Sequence, residues 1–139
     1  MEKPHVLLAE DDMILSQVIA EELESGGYRI SQAKDGEAAV DLIKKKRPDL
    51  VLLDILMPKM NGMEVLENVK ASSTTRGIPV IMLTMLSSDD DIKRALRLGA
   101  EDYIVKSQHA VGEIVEKVNE FFDKGARLDA GTKLSDIEE

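Results

Sequence analysis

Five short apolar runs alternate with segments of helical spacing, and this alternation restricts the fold more than any other feature of the chain. The runs begin at His5 ("HVLLAE"), Tyr28 ("YRISQA"), Asp49 ("DLVLLD"), Ile78 ("IPVIMLT") and Glu101 ("EDYIVK"). Runs so short, bounded by turn residues, read as strands buried in a parallel sheet. Between them the apolar residues recur at helical intervals. Ile14, Leu15, Val18, Ile19 and Leu23 form one face, with Asp12 as N-cap and Gly26-Gly27 ending the helix. A second helix follows Asp35-Gly36, with Ala39, Leu42 and Ile43 inward, and "KKKRP" stops it. The third begins near Asn61 and uses Val65, Leu66 and Val69. In the fourth, Ser88 and Asp91 resemble a capping box, Ile92, Ala95 and Leu96 face inward, and Gly99 closes. The fifth uses Val111, Ile114, Val115, Val118 and Phe122.

Strand and helix thus alternate five times, and right-handed crossovers between parallel strands give an α/β fold: a three-layer, doubly wound (βα)5 sandwich with a flavodoxin-like parallel sheet of order 2-1-3-4-5. Residues 1–123 are expected to form this domain. Residues 124–139, poor in large apolar side chains, are expected to be the end of the last helix or a flexible tail.

Open sheets of this kind carry their chemistry beyond the carboxyl ends of the strands. Strand one ends in Glu10-Asp11-Asp12, strand three in Asp54, strand four in Thr84 and strand five in Lys106. Neighbouring strands lie ~4.8 Å apart, so these side chains can share one site. Carboxylates held together there repel, by roughly 4 kcal/mol for a pair at 4 Å and an effective dielectric of 20. A hard divalent cation relieves that cost. Mg2+ (or Mn2+) suits one or two carboxylates, a carbonyl and waters, so Asp11 and Asp54 are the side-chain ligands of choice, with Leu56 offering its backbone carbonyl. A metal, a lysine and a hydroxyl around an aspartate are the parts needed for phosphoryl transfer. Asp54 is the natural nucleophile, with Lys106 and Thr84 pairing with phosphoryl oxygens. Alone, Asp54 reads as a turn or capping acid, Thr84 as a strand-end residue and Lys106 as a solvated charge; together they form a constellation.

The segments "LLAEDD", "VLLDILMPKMNG", "IMLT" and "GAEDYIVK" resemble the receiver domain of bacterial two-component response regulators, over roughly Lys3 to Phe122. The resemblance implies that Asp54 takes phosphate from a sensor histidine kinase or phosphotransfer protein. It implies that Glu10 and Asp11 form the acidic metal pair, and that Thr84 and Lys106 sense the phosphate. Tyr103 matches the aromatic that turns inward when the threonine moves, although packing alone would also account for it. Two positions depart from the pattern. Ser107 stands where the family usually has proline after the lysine, often behind a cis bond; a non-proline cis bond costs ~2.5–4 kcal/mol, which leaves that loop's geometry open. Met85 and Leu86 follow Thr84 where the first position is often small, and with Leu56 they are expected to shield an acyl phosphate from water.

Such a module is a phosphorylation-dependent switch that catalyses only its own modification and its reversal. A haloacid-dehalogenase-like phosphatase needs a second acid two residues after its nucleophile, where this chain has Leu56. A flavodoxin-like cofactor binder needs a hydroxyl-rich phosphate loop and meets acids instead, so no cofactor-binding residues are expected beyond the metal site. An unphosphorylated scaffold would not need Asp11, Asp54, Thr84 and Lys106 together. The formal charge of −9 argues against direct nucleic-acid binding. The absence of cysteine removes disulfide and thiol chemistry. The start, "MEKPHVLLAEDD", is too short in apolar residues for a signal peptide, and no stretch approaches the ~20 residues of a membrane span, so a cytoplasmic location is expected. His5 and His109 read as structural. The fourth helix, fifth strand and fifth helix carry mixed charge (Lys93, Arg94, Arg97, Glu101, Asp102, Glu113, Glu116, Lys117), a surface suited to a homodimer or a downstream protein.

Overall fold

A computed structural model describes residues 3–131, with side chains through residue 124. The chain forms β1 (His5–Ala9), α1 (Met13–Ser25), β2 (Arg29–Ala33), α2 (Gly36–Lys46), β3 (Leu50–Leu53), α3 (Gly62–Ala71), β4 (Val80–Thr84), α4 (Asp89–Arg97), β5 (Asp102–Val105), a one-turn 3-10 helix (Lys106–Gln108) and α5 (Val111–Gly131). The strands make one parallel sheet in the order β2-β1-β3-β4-β5. This is the expected three-layer arrangement.

Side-chain alternation along the central strands divides the core in two. Val6, Leu8, Leu50, Leu52, Ile81, Leu83 and Ile104 pack with Ile19 and Leu23 of α1 and Ile114 and Val118 of α5. Leu7, Ala9, Val51, Leu53, Val80 and Met82 point the other way, against Ala39 and Ile43 of α2, Val65, Leu66 and Val69 of α3 and Ala95 of α4. Because both faces are covered, Val6, Leu7 and Leu8 are wholly inaccessible to solvent.

The helix starts follow their caps. Asp12 accepts from the N–H groups of Ile14 and Leu15, Asp35 from Ala38, and Ser88 from Asp91. Asn61 and Glu64 form a reciprocal capping box at the start of α3.

Three side chains expected to face inward do not. Ile14 is 80% exposed, Val18 41% and Leu96 46%. At 100° per residue, Ile14 lies about 140° and Val18 about 100° round α1 from Ile19, while Leu96 is about 100° from the fully buried Ala95. The inner face of α1 instead includes Ser16 and Ala20, and Ser16 is tolerated there because its hydroxyl accepts from Gln32 Nε2 at 2.8 Å. The last helix runs through the expected boundary at 123/124 to Gly131, so the first part of the expected tail is helical; residues 132–139 lie outside the described residues.

The loop from Asp54 to α3 is held from both sides. Gly62 N–H donates to Ile55 O at 2.8 Å, and Met60 N–H donates to Pro58 O at 2.8 Å. A Cβ on Gly62 would stand 2.1 Å from the Asp54 carbonyl oxygen, and one on Gly36 would stand 1.8 Å from that of Met60. Glycine is therefore needed at both places for close backbone approach.

Candidate functional site

Each strand named from the sequence delivers its terminal side chain to the carboxyl edge. Glu10, Asp11 and Asp54 each offer a carboxylate oxygen, and these oxygens all lie within 4.8 Å of one another. Glu10 and Asp54 are buried, whereas Asp11 is exposed, so the cluster is open on one side. Asp54 follows directly from β3; its Oδ1 accepts from Leu56 N–H at 3.2 Å. Lys106, just after β5, reaches across the edge and donates from Nζ to Glu10 Oε1 at 2.6 Å and to Asp54 Oδ2 at 3.1 Å. The Glu10 contact was not legible beforehand, since the sequence suggested only a reach toward Asp54 and a phosphoryl group.

The electrostatics follow from burial. Desolvation pushes the Glu10 carboxyl above its usual value, outweighing the bonds from Lys106 and the Asp12 N–H that pull it down, and the nearby charge of Asp54 adds to the rise. Burial alone would lower the Lys106 ammonium, but its bonds to Glu10 and the charge of Asp54 outweigh this and hold it above the ordinary lysine value. The ammonium is thus the internal counter-ion of the acids. With three carboxylates around one ammonium, the cluster retains negative charge that a divalent cation would offset. The donor set is all oxygen, as Mg2+ or Mn2+ prefers, so the residues present fit such an ion.

Thr84 ends β4 and is fully buried. Its Oγ1 accepts from Leu86 N–H at 3.4 Å, and the Tyr103 hydroxyl donates to Leu86 O at 2.9 Å. One residue therefore joins the two side chains named as switch candidates. Burial, then the charges of Asp91 and Asp54, push the Tyr103 phenol up to about 12. A phenol raised in the folded state contributes stability that is present below the ordinary value of about 10 and is lost as pH rises toward 12. In an alkaline titration followed by tyrosinate absorbance, Tyr103 is expected to stay un-ionised at pH 10. Tyr103→Phe should remove only the late-ionising fraction. Half-ionisation of both tyrosines at pH 10 would contradict the burial of the Tyr103 phenol beside Asp91 and Asp54.

Leu56 and Met85 are both more than half exposed beside this site, while Leu86 packs against the core. A cavity of about 400 Å3 opens next to Lys106, between Leu15 of α1 and Val111 and Ile114 of α5. The Lys106–Ser107 peptide is trans, as are all peptide bonds among the described residues. His109 is structural, its ring Nδ1 lying 3.0 Å from Val105 O.

The sequence model of the response regulator receiver domain matches residues 6–119. The chain belongs to the response regulator receiver domain family. It is therefore a phosphorylation-dependent signalling switch, and the phosphatase and inert-scaffold readings are not favoured. Among curated relatives, the DNA-binding dual master transcriptional regulator RpaA of Synechocystis sp. is 33% identical over 134 residues, covering 96% of this chain and 55% of its own length. The chain spans about half the length of the curated relatives it matches. Two solved structures are similar. A CheY-like receiver domain protein from Methanospirillum hungatei JF-1 has a TM-score of 0.82 at 27% identity, covering 91% of this chain and 98% of that one. A CheX–CheY–BeF3–Mg2+ complex from Borrelia burgdorferi has a TM-score of 0.80 at 31% identity, covering 87% and 90%. Receiver domains bind a divalent metal and interact with histidine kinases or phosphotransfer partners. No helix among the described residues is long and apolar enough to cross a membrane.

Proposed function

We propose that Asp54 is the phosphoryl acceptor and that its donor is a phosphohistidine on a sensor kinase or phosphotransfer protein. The observation that carries this reading is the buried Asp54 carboxylate, held by the Leu56 N–H and the Lys106 ammonium at the mouth of an acidic cluster. In the transfer, a carboxylate oxygen of Asp54 bonds to phosphorus and the phosphorus–nitrogen bond of the donor breaks. The bonding pair stays on the imidazole nitrogen, which leaves neutral when the ring's other nitrogen carries a proton. In the reverse process water attacks phosphorus, restoring the carboxylate and releasing inorganic phosphate. The chain thus catalyses its own modification and turns over no metabolite.

Glu10, Asp11 and Asp54, with the backbone carbonyl of Leu56, would hold Mg2+ (or Mn2+), which supplies neutralisation of phosphoryl-oxygen charge when bound. Lys106 exchanges its bond to Asp54 for one to a phosphoryl oxygen, already poised at 3.1 Å. Thr84 donates its hydroxyl to another, and the shared contact with Leu86 carries the change to Tyr103 as a shift between two populations. The α4–β5–α5 face, with exposed Leu96 and Arg94 paired to Glu67 at 3.8 Å, is the surface we assign to a second copy or a downstream protein. We place the domain in the cytoplasm, without direct contact to nucleic acid.

Intact-mass measurement after treatment with acetyl phosphate and Mg2+, followed by peptide mapping, should find a single phosphoryl group on Asp54. Label on any other residue would overturn the assignment. The half-exposed Leu56 and Met85 and the packed Leu86 should slow hydrolysis by limiting water. Met85→Ala and Leu86→Asn are each expected to shorten the acyl-phosphate half-life by about threefold, a barrier change of roughly 0.65 kcal/mol. Unchanged decay in both variants would remove the shielding role.

A further inference from the structure

The opposite edge of the sheet, where the strands begin, holds a second concentration of polar groups. A cavity of about 420 Å3 lies there, lined by His5, Arg29, Ser31, Lys46, Arg47 and Asp49 together with Ile30. Small-molecule sites typically span roughly 300–1,000 Å3, so its size suits a ligand. Its cations outnumber its single carboxylate, against the grain of a chain carrying a net charge of −9. Asp49 is already engaged, its Oδ2 accepting from the His5 backbone N–H at 2.8 Å. Arg29 is anchored by a bond from Nε to Lys3 O at 3.2 Å.

His5 is only 7% exposed, which is an unusual place for an imidazole without a purpose. Its Nε2 lies 2.7 Å from Ser31 Oγ, and among the described residues no hydrogen-bond partner completes Nδ1. Burial first, then Arg29 and Lys46, lower the ring's proton affinity against the opposing pull of Asp49. A bound anion would reverse part of that.

The simplest alternative is that the basic residues only complement the negative carboxyl end of α2. Lys44 and Lys45 serve that end without lining the cavity. Arg47 is different. It caps α2 at φ 47°, in the left-handed region where glycine is the low-cost residue, so the position carries a guanidinium at a backbone cost.

We propose that this cavity binds a phosphate-class oxyanion, either free phosphate or the phosphate group of a small phosphorylated molecule, through Lys46 and Arg47 beside the Ser31–His5 pair. The site is separate from Asp54 and independent of the phosphorylation reading. With only two histidines in the chain, NMR can follow both rings in the full-length, metal-free protein. Inorganic phosphate and adenosine monophosphate are titrated separately, with sodium chloride matched for ionic strength. The His5 ring should shift saturably and its pKa should rise by about one unit, while His109 shows no such response. Tighter binding of the nucleotide would identify an ester ligand; equal or weaker binding would identify the free anion. Arg47→Gly, which the backbone accommodates, should weaken binding about tenfold or more without lowering Tm. Asp54→Asn should leave the His5 response intact. The proposal is overturned if His5 does not respond, if both histidines drift together without saturation, if Arg47→Gly titrates like the wild type, or if the response disappears in Asp54→Asn.

Discussion

Asp54→Asn protein incubated with acetyl phosphate and Mg2+ should stay at its unmodified mass, while the wild-type chain gains one phosphoryl group. The expected loss of labelling is at least about a hundredfold, since the amide oxygen is a poor nucleophile and every other group in the cluster is left in place. The substitution should spare the fold. Asparagine can still accept from the Leu56 N–H, and Lys106 retains its 2.6 Å contact with Glu10. Because the cluster holds more carboxylates than cations, removing one charge should leave Tm of the metal-free protein unchanged or higher. Labelling of Asp54→Asn at the wild-type level would refute the assignment of the acceptor. A drop of Tm large enough to unfold it would show that the Lys106–Asp54 bond contributes more to stability than the acids' repulsion costs.

Gly62→Ala should have a large effect on stability. The added methyl would meet the Asp54 carbonyl oxygen at 2.1 Å and Ile55 Cα at 2.7 Å, both in the backbone and unable to rotate away. Overpacking of this kind costs about 3 kcal/mol, and the corresponding fall in Tm is about 10 °C for a domain of this size. Gly77→Ala is the control, since a methyl there meets nothing within 4 Å. Thermal unfolding of the two variants gives the comparison; equal Tm values would mean that the loop yields easily. If it does not yield, Asp54, the proposed phosphoacceptor, moves, and Gly62→Ala should also label more slowly than its loss of folded protein explains.

The strands, their order and the convergence of Glu10, Asp11, Asp54 and Lys106 were legible because each rests on short-range signals. An apolar run, a turn residue and an alternating topology together decide which edge a terminal residue reaches. The errors arose where a helix face had to be chosen among many apolar residues. α1 offers Ile14, Leu15, Val18, Ile19 and Leu23, which cannot all face one way, and burial of Ser16 depends on Gln32 from another element. Contacts between residues distant in sequence were equally hidden. Lys106 pairs with Glu10 across 96 positions, and the meeting of Thr84 and Tyr103 at Leu86 involves backbone atoms that side-chain pattern does not reveal. His5 was read as structural from its isolation, and only the fold brings Ser31, Arg29 and Asp49 to it.

The inaccessibility of β1 on both faces limits how this domain can respond to modification. Its amide protons should be among the last to exchange with deuterated solvent, because exposing them requires opening the sheet between β2 and β3. His5 begins this strand and Glu10 directly follows it, so the two edges are joined by a segment buried on both faces. Any message leaving the acidic edge must therefore travel by rotamer changes and loop displacement in the surrounding layers, with the sheet serving as a fixed frame of reference.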